Sequence, residues 1–481
     1  MRHGVRLLDW TDHGTSNGAD APTGRQRPQS FMRAEREPDV SDMSGLSGYR
    51  GPSAKILTEA GASIGDVLEV QTGGESIRGT LVPRYEHDDD RHIVIKLNNG
   101  YNVGISVEKV SKVVRLEKGE APKFVAPQKV ASKGLPRVSI LGTGGTIASR
   151  VDYRTGAVRP ATTSEELYSL FPELSEIATI TPEIVLSVYS ENLEPGHWET
   201  ISKRVSEVVA EGVSGIILTM GTDAMGYTAA ALSFALKGLP VPLFIVGSQR
   251  SSDRPSSDAF LNLIGAATMA VQADFSGVYV VMHADSSDDR LAVHTGTRVR
   301  KNHTSARDAF ESMGVEPLGY WSRQGIWVTA REAPPPRGNA GSFAAKPNFD
   351  PRAALVKFYP SMPTQYLGAL FGSGLRGVVF EGTGLGHINS KNIEVVGKFV
   401  ADGGVACMTS QCLWGRVDMN VYDTGRDLLK AGVVPLEDML PETAVAKLMW
   451  ALANSKSTEE TKALMQENLV GEVSTRTTQR R

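Results

Sequence analysis

The chain has 481 residues and a mass of 51.7 kDa, enough for about two or three domains with ample buried core. With 41 % apolar and 22 % charged residues it has an ordinary globular profile, and a net charge of -3 removes any global electrostatic argument for nucleic-acid binding. The two cysteines, Cys407 and Cys412, exclude a disulfide framework and a four-cysteine zinc site, and read as small buried thiols.

Residues 1–45 are polar and read as a disordered tail, without the apolar core or cleavage pattern of a secretory signal. Met43, near the end of the tail, is a second candidate start of translation. No apolar run reaches the roughly 18 residues that span a membrane, so no membrane association is expected. The scarcity of cysteine suits a reducing cytoplasm. Residues 46–118 predict a small β domain, with short strands at Val67 to Val70, Ile77 to Val82, Ile93 to Leu97, Asn102 to Ser106 and Val110 to Leu116. Asn99-Gly100 is a hairpin-turn signal, and the strand spacing fits a barrel of SH3-like size. Glu86-His87-Asp88-Asp89-Asp90 reads as a solvated turn rather than a metal site, because no second ligand cluster is in view.

Residues 119–136 read as a linker. From 137 to 331 the texture is α/β: apolar runs at Val138 to Leu141, Gly215 to Thr219, Val241 to Val246 and Gly277 to Met282 are separated by helical stretches. Those stretches are Ser164 to Leu170, Trp198 to Glu211, Tyr227 to Lys237 and Asp258 to Ala273. Alternation of this kind predicts a parallel sheet covered on both faces. Residues 332–352, with Pro334-Pro335-Pro336, form a second linker. A smaller α/β domain is expected over 353–454, with strands at Ala354 to Phe358, Gly377 to Phe380 and Gly404 to Met408, and helices at Ser390 to Asp402 and Glu442 to Asn454. Residues 455–481 read as a charged tail that docks loosely or frays.

Ligands of open α/β sheets gather outside the carboxyl ends of the strands. Two loops sit at such ends: Gly142-Thr143-Gly144-Gly145-Thr146 and Gly221-Thr222-Asp223. The first is not a nucleotide loop. A dinucleotide fingerprint needs glycine where Ile147 stands, and a P-loop needs a Lys-Ser/Thr pair where Thr146-Ile147 stands. Spacing alone leaves a plain structural turn as an equal alternative. The threonines favour chemistry. A threonine hydroxyl is a weak nucleophile that needs a base. Asp223 adjoins Thr222, and Lys301 is expected in the loop after the fourth strand of the α/β body, near Arg298 and Arg300. Those like charges would favour a neutral amine, with Asp223 opposing. Tyr153 lies seven residues past Thr146, within reach of the first loop. Such a constellation needs no cofactor or metal.

On Thr143-Gly144-Gly145-Thr146-Ile147-Ala148 and Gly221-Thr222-Asp223, the chain from about Val138 to Asn454 resembles the L-asparaginase and glutaminase family. The resemblance implies that Thr146 is the primary nucleophile with Tyr153 beside it, and that Thr222, Asp223 and Lys301 form a second triad. It also implies that Ser190 and Glu191 hold the α-amino and α-carboxylate groups of the substrate, with Gly145 and Gly221 lining the same site. Where the family commonly has His before and Thr after Gly-Thr-Asp, this chain has Met220 and Ala224, which implies altered support for the loop. A neighbouring subunit is expected to complete the pocket near Gly382 to His387.

The leading β domain, the stretch Gln249 to Ala259, the run Val421-Tyr422-Asp423-Thr424-Gly425-Arg426 and the tail motif Gly471-Glu472-Val473 narrow the resemblance to the D-subunit branch of archaeal glutamyl-tRNA(Gln) amidotransferases. This implies hydrolysis of glutamine or asparagine, with the ammonia used to convert Glu-tRNA(Gln) to Gln-tRNA(Gln) on a partner, the E-subunit of the same enzymes. ATP and magnesium are then expected on that partner, and a homodimer of this chain is the core of a heterotetramer. The alternative is a free-standing asparaginase or glutaminase.

Overall fold

The computed structural model describes residues 46, 48–84, 89–97, 102–119, 134–144, 149–151, 158–160, 171–250, 256–338 and 343–476. The expected tail 1–45, the Asn99-Gly100 turn, the helix at Ser164 to Leu170, most of the first linker, and Gly145, Thr146 and Tyr153 lie outside them.

A helix not anticipated from the sequence, Gly51–Glu59, opens the described chain, with Pro52 in its first turn and Leu57 buried. Five antiparallel strands follow: β1 (Val67–Thr72), β2 (Ser76–Leu81), β3 (His92–Lys96), β4 (Asn102–Ser106) and β5 (Val110–Glu117). Leu68 and Val70 point inward between half-exposed neighbours and join Leu57, Leu81, Ile93 and Ile95 in a separate core. The sheet runs β4-β3-β2-β1-β5. The closed barrel expected here is not found among the described residues: β5 pairs with β1 along its length and presents no partner to β4. Of the acidic turn, Glu86, His87 and Asp88 lie outside the described residues, and Asp89 is half exposed and ion-paired. Asp89 accepts from Arg84 at 3.0 Å and from the Arg91 N–H at 2.7 Å, and its carboxyl is held far below the usual range, chiefly by Arg84.

The α/β body contains β6 (Arg137–Gly142), the paired β7 (Ser149–Val151) and β8 (Val158–Pro160), β9 (Thr179–Ile184), β10 (Gly215–Thr219), β11 (Pro242–Val246) and β12 (Gly277–His283). It continues through β13 (Leu291–Thr295), β14 (Val299–Lys301), β15 (Phe310–Ser312), β16 (Gly319–Ser322) and β17 (Gly325–Val328). One sheet has the order β17-β16-β13-β12-β11-β10-β6-β9; it is parallel from β9 to β12 and antiparallel beyond. Successive residues go to opposite faces. Ile216, Leu218, Leu243 and Ile245 pack with helices Pro195–Ala210, Met225–Ala235 and Pro441–Asn454, while Ile217, Phe244 and Val246 pack with helix Ala259–Gln272. Continuous apolar strands are what a sheet buried on both faces requires.

The smaller sheet is parallel: β18 (Ala353–Lys357), β19 (Gly377–Gly382), β20 (Val405–Ser410) and β21 (Val434–Pro435). Helix Pro441–Asn454 joins both sheets in one core, with Val379, Val405 and Cys407 in the same cluster as Leu218. The second linker is anchored to the body at Arg337. Arg337 donates to the carbonyls of Ser214, Ala270 and Ala273. Cys407 is buried, its thiol pushed up to about 12 by burial, but Cys412 lies past the end of β20 and is exposed. Among the described residues no helix is long and apolar enough to cross a membrane.

The expectation of a loose C-terminal tail is corrected. Thr458–Gln466 is a helix capped by Ser457, and beyond it Glu472 is fully buried, 2.6 Å from the equally buried Lys447. The Glu472 carboxylate also accepts the N–H groups of Leu469 and Val470. Burial lowers the Lys447 pKa, and Glu472 opposes the shift. Removing one partner strands a buried charge, which typically costs about 3–5 kcal/mol, whereas an apolar replacement of both is far milder. Glu472→Ala is therefore expected to shift the denaturation midpoint strongly, and Glu472→Ala with Lys447→Met to recover much of it. Equal losses in the single and double variants would show that the pair itself is not what holds the tail.

Candidate active site

The carboxyl ends of β9, β6 and β10 lie side by side. Gly142 is paired with Ile184 on one side and Thr219 on the other. The chain leaving β6 is stapled to β10: Thr143 donates to the Thr219 carbonyl from its N–H at 3.0 Å and from Oγ1 at 3.1 Å. The chain leaving β9 is stapled to β6, with Val188 N–H donating to the Thr143 carbonyl at 3.2 Å. Gly144 has φ +109°, in the left-handed region, and a side chain there would run into the Val188 carbonyl. Thr143 and Gly144, the end of β10 and the segment leading to Ser190 thus meet at one rim. Gly145, Thr146 and Tyr153 lie outside the described residues, so nothing places the first threonine within it.

Ser190 is buried at the start of a short 3-10 turn, and Glu191 beside it is exposed. Ser190 faces Gly221: a Cβ at residue 221 would stand 2.9 Å from Ser190 Oγ. Any side chain there would displace the serine. The structure therefore brings Ser190 and Gly221 together.

Lys301 is not in a loop. It ends β14, which pairs with β15 so that Lys301 is opposite Phe310. From there Nζ donates to Thr222 Oγ1 at 2.8 Å and to Asp223 Oδ1 at 2.7 Å. The lysine side chain is 14 % exposed and the aspartate 70 %, so the carboxylate meets water while the amine is largely shielded from it. The lysine amine touches both the hydroxyl and the carboxylate, an arrangement that can pass a proton between a hydroxyl and a solvent-facing acid. The two arginines expected to crowd Lys301 are engaged elsewhere. Arg298 is fully buried and binds Asp438 at 3.0 Å, and Arg300 binds Glu442 at 3.3 Å.

The departures at 220 and 224 have a structural consequence. Met220 is buried in the main core, and Ala224 caps helix Met225–Ala235 without a side-chain hydrogen bond. A capping hydroxyl is missing, which typically costs about 0.5–2 kcal/mol. The Gly382 to His387 turn is self-bonded through Thr383 and His387, and His387 Nδ1 lies 3.2 Å from Thr424 Oγ1, joining two segments singled out in the sequence. Asp258 and Asn262 had no assigned role. Both are fully buried, and Asp258 takes the N–H groups of Gln249 and Arg250 at 2.9 and 3.0 Å, tying the chain that leaves β11 to the start of helix Ala259–Gln272. The available signal was an acid and an amide one helical turn apart at a helix start.

Three family models match the chain: "Asparaginase, N-terminal" over residues 137–334, "Glutaminase/Asparaginase C-terminal domain" over 352–465, and "GatD N-terminal domain" over 62–116. The chain is 47 % identical over 433 residues to the D-subunit of the glutamyl-tRNA(Gln) amidotransferase of Metallosphaera sedula, covering 90 % of this chain and 97 % of that one. It is 45 % identical to its counterpart in Sulfurisphaera tokodaii, covering 90 % and 96 %. Among solved structures, the thermostable L-asparaginase from Thermococcus kodakarensis superposes with a TM-score of 0.62 at 33 % identity, covering 70 % of this chain and 99 % of that one. L-asparaginase I from Vibrio cholerae does so with a TM-score of 0.61 at 26 % identity, covering 71 % and 99 %.

Proposed function

This chain belongs to the asparaginase and glutaminase family, in the D-subunit branch of the glutamyl-tRNA(Gln) amidotransferases, and we propose that it hydrolyses glutamine, or asparagine, at the Thr222–Asp223–Lys301 site. The contact that carries this reading is Lys301 Nζ shared between Thr222 Oγ1 and Asp223 Oδ1. Thr146 attacks the side-chain amide carbon, the C–N bond breaks, and the nitrogen leaves as ammonia with the proton released by the hydroxyl. Water then cleaves the threonine ester and frees glutamate or aspartate. Division into two steps replaces one high barrier by two lower ones. Tyr153 serves Thr146, and Ser190, Glu191, Gly145 and Gly221 hold the amino-acid end of the substrate.

The protein is an amidohydrolase component of a tRNA-dependent amidotransferase complex. Its partner in this reading is the E-subunit, which holds ATP and magnesium and receives the ammonia, while this chain carries no cofactor. A homodimer of the chain forms the core of a cytoplasmic heterotetramer. Ammonia release from glutamine, measured with and without partner and Glu-tRNA(Gln), separates the readings. The amidotransferase reading expects release to rise severalfold in the full system and to match Gln-tRNA(Gln) formed. The same rate from the chain alone, with no coupled product, would return the free-standing asparaginase.

A further inference from the structure

Lys301 ends β14 and opens the loop that returns at β15, so its placement depends on how residues 302–309 are held. The neck of that loop is closed by the Asn302 N–H donating to the Ala309 carbonyl at 2.6 Å. Its outer part is fastened by Arg307. Nη1 donates to Asp288 Oδ1 at 2.7 Å, and Nη2 donates to the Ser256 carbonyl at 2.6 Å. These acceptors sit on separate segments, one between β12 and β13 and one ahead of helix Ala259–Gln272.

Both segments lead behind Thr222. Asp288 Oδ1 is 3.1 Å from His283 Nε2, His283 Nδ1 is 2.8 Å from Asn262 Oδ1, and Asn262 Nδ2 donates to the Gly247 carbonyl at 2.9 Å. Gly247 lies against Thr222: a Cβ on it would be 2.8 Å from Thr222 Cγ2. His283 and Asn262 are fully buried, so their polar atoms depend on these partners. On the other side, the Ser256 N–H donates to the Asn102 carbonyl at 2.7 Å, which seats the start of β4 on the same bracket.

We propose that Arg307 is a positioning residue whose fork, bridging Asp288 and Ser256, sets the placement of Lys301 relative to Thr222. The inference rests on the reading that Lys301 and Thr222 act together. A planar fork suits two diverging acceptors, while a lysine at 307 would offer a single point charge. A loosened loop displaces Nζ from a geometry that must hold in the transition state, and a misplacement of about 1 Å costs up to about a hundredfold in rate.

The test uses the full chain with its partner and measures kcat and KM for glutamine hydrolysis together with the thermal midpoint. Arg307→Leu is expected to lower kcat by about ten- to a hundredfold. KM should stay within about threefold, because substrate binding is not what is lost. Arg307→Lys is expected to recover part of kcat. Should Arg307→Leu fold poorly, Asp288→Ala removes the half-exposed acceptor and is expected to give the same kcat loss in a folded chain, with a lowered midpoint because buried His283 Nε2 loses its partner as well. Normal kcat in Arg307→Leu or Asp288→Ala, or a rise confined to KM, overturns the inference. Lys301→Met measured alongside separates the two levels. If it turns over normally, the triad reading fails; if it is inactive while the Arg307 and Asp288 variants are normal, only this inference fails.

Discussion

Lys301→Arg is expected to be almost as damaging as Lys301→Met, with the loss in kcat. Nζ sits 2.8 Å from Thr222 Oγ1 and 2.7 Å from Asp223 Oδ1. Arginine keeps the positive charge and can still face Asp223, but its guanidinium does not give up a proton near neutral pH. If Lys301 relays the threonine proton, both variants lose a general acid–base step, worth about 10²- to 10⁴-fold. The relay does not need crowding by like charges, because Arg298 and Arg300 are neutralised by Asp438 and Glu442. A binding charge predicts a different pattern: Lys301→Arg would retain kcat and Lys301→Met would mainly raise KM. Steady-state kinetics on the two variants decides, and that second pattern would remove Lys301 from the proton path.

The legible parts of this molecule are those set by local chemistry. Gly221-Thr222-Asp223 can be located because an apolar strand followed by a glycine turn marks a strand end, and strand ends are where such sheets bind ligands. The apolar runs around Ile217, Phe244 and Val280 mark the central strands because both faces of a parallel sheet are buried. What stays hidden depends on partners distant in sequence. β14 is three residues long, too short for periodicity to register, so the sequence suggests a loop for Lys301. Arg298 reads as a like-charge neighbour of Lys301 because Asp438 is 140 residues away. Glu472 reads as part of a fraying tail because nothing near it reveals Lys447 as its buried partner. Closure of the leading sheet is likewise a question of which edges meet, and alternation within a strand carries no information about that.

The assignment of the first nucleophile rests on residues 143–148 and the family resemblance, since the described chain stops at Gly144 and resumes at Ser149. Two threonine hydroxyls compete for the role, and only Thr222 has its activating partner in view, Lys301 at 2.8 Å. Thr146→Ala is expected to abolish turnover, a loss on the order of 10⁴- to 10⁶-fold in kcat as for other deleted nucleophiles, while the thermal midpoint stays unchanged. Thr222→Ala is also expected to be severe, because groups that act as one unit fail together. Rates therefore cannot rank the two. A covalent label can. A diazoketone analogue of glutamine alkylates the attacking hydroxyl, and intact-protein mass followed by peptide mapping locates it. The adduct is expected on Thr146 in the unsubstituted chain and, more slowly, in Thr222→Ala, but not in Thr146→Ala. Thr146→Ser retains the oxygen and is expected to keep both the adduct and part of the turnover. An adduct on Thr222 that persists in Thr146→Ala would move the nucleophile to the second loop, with Lys301 acting directly on the attacking hydroxyl.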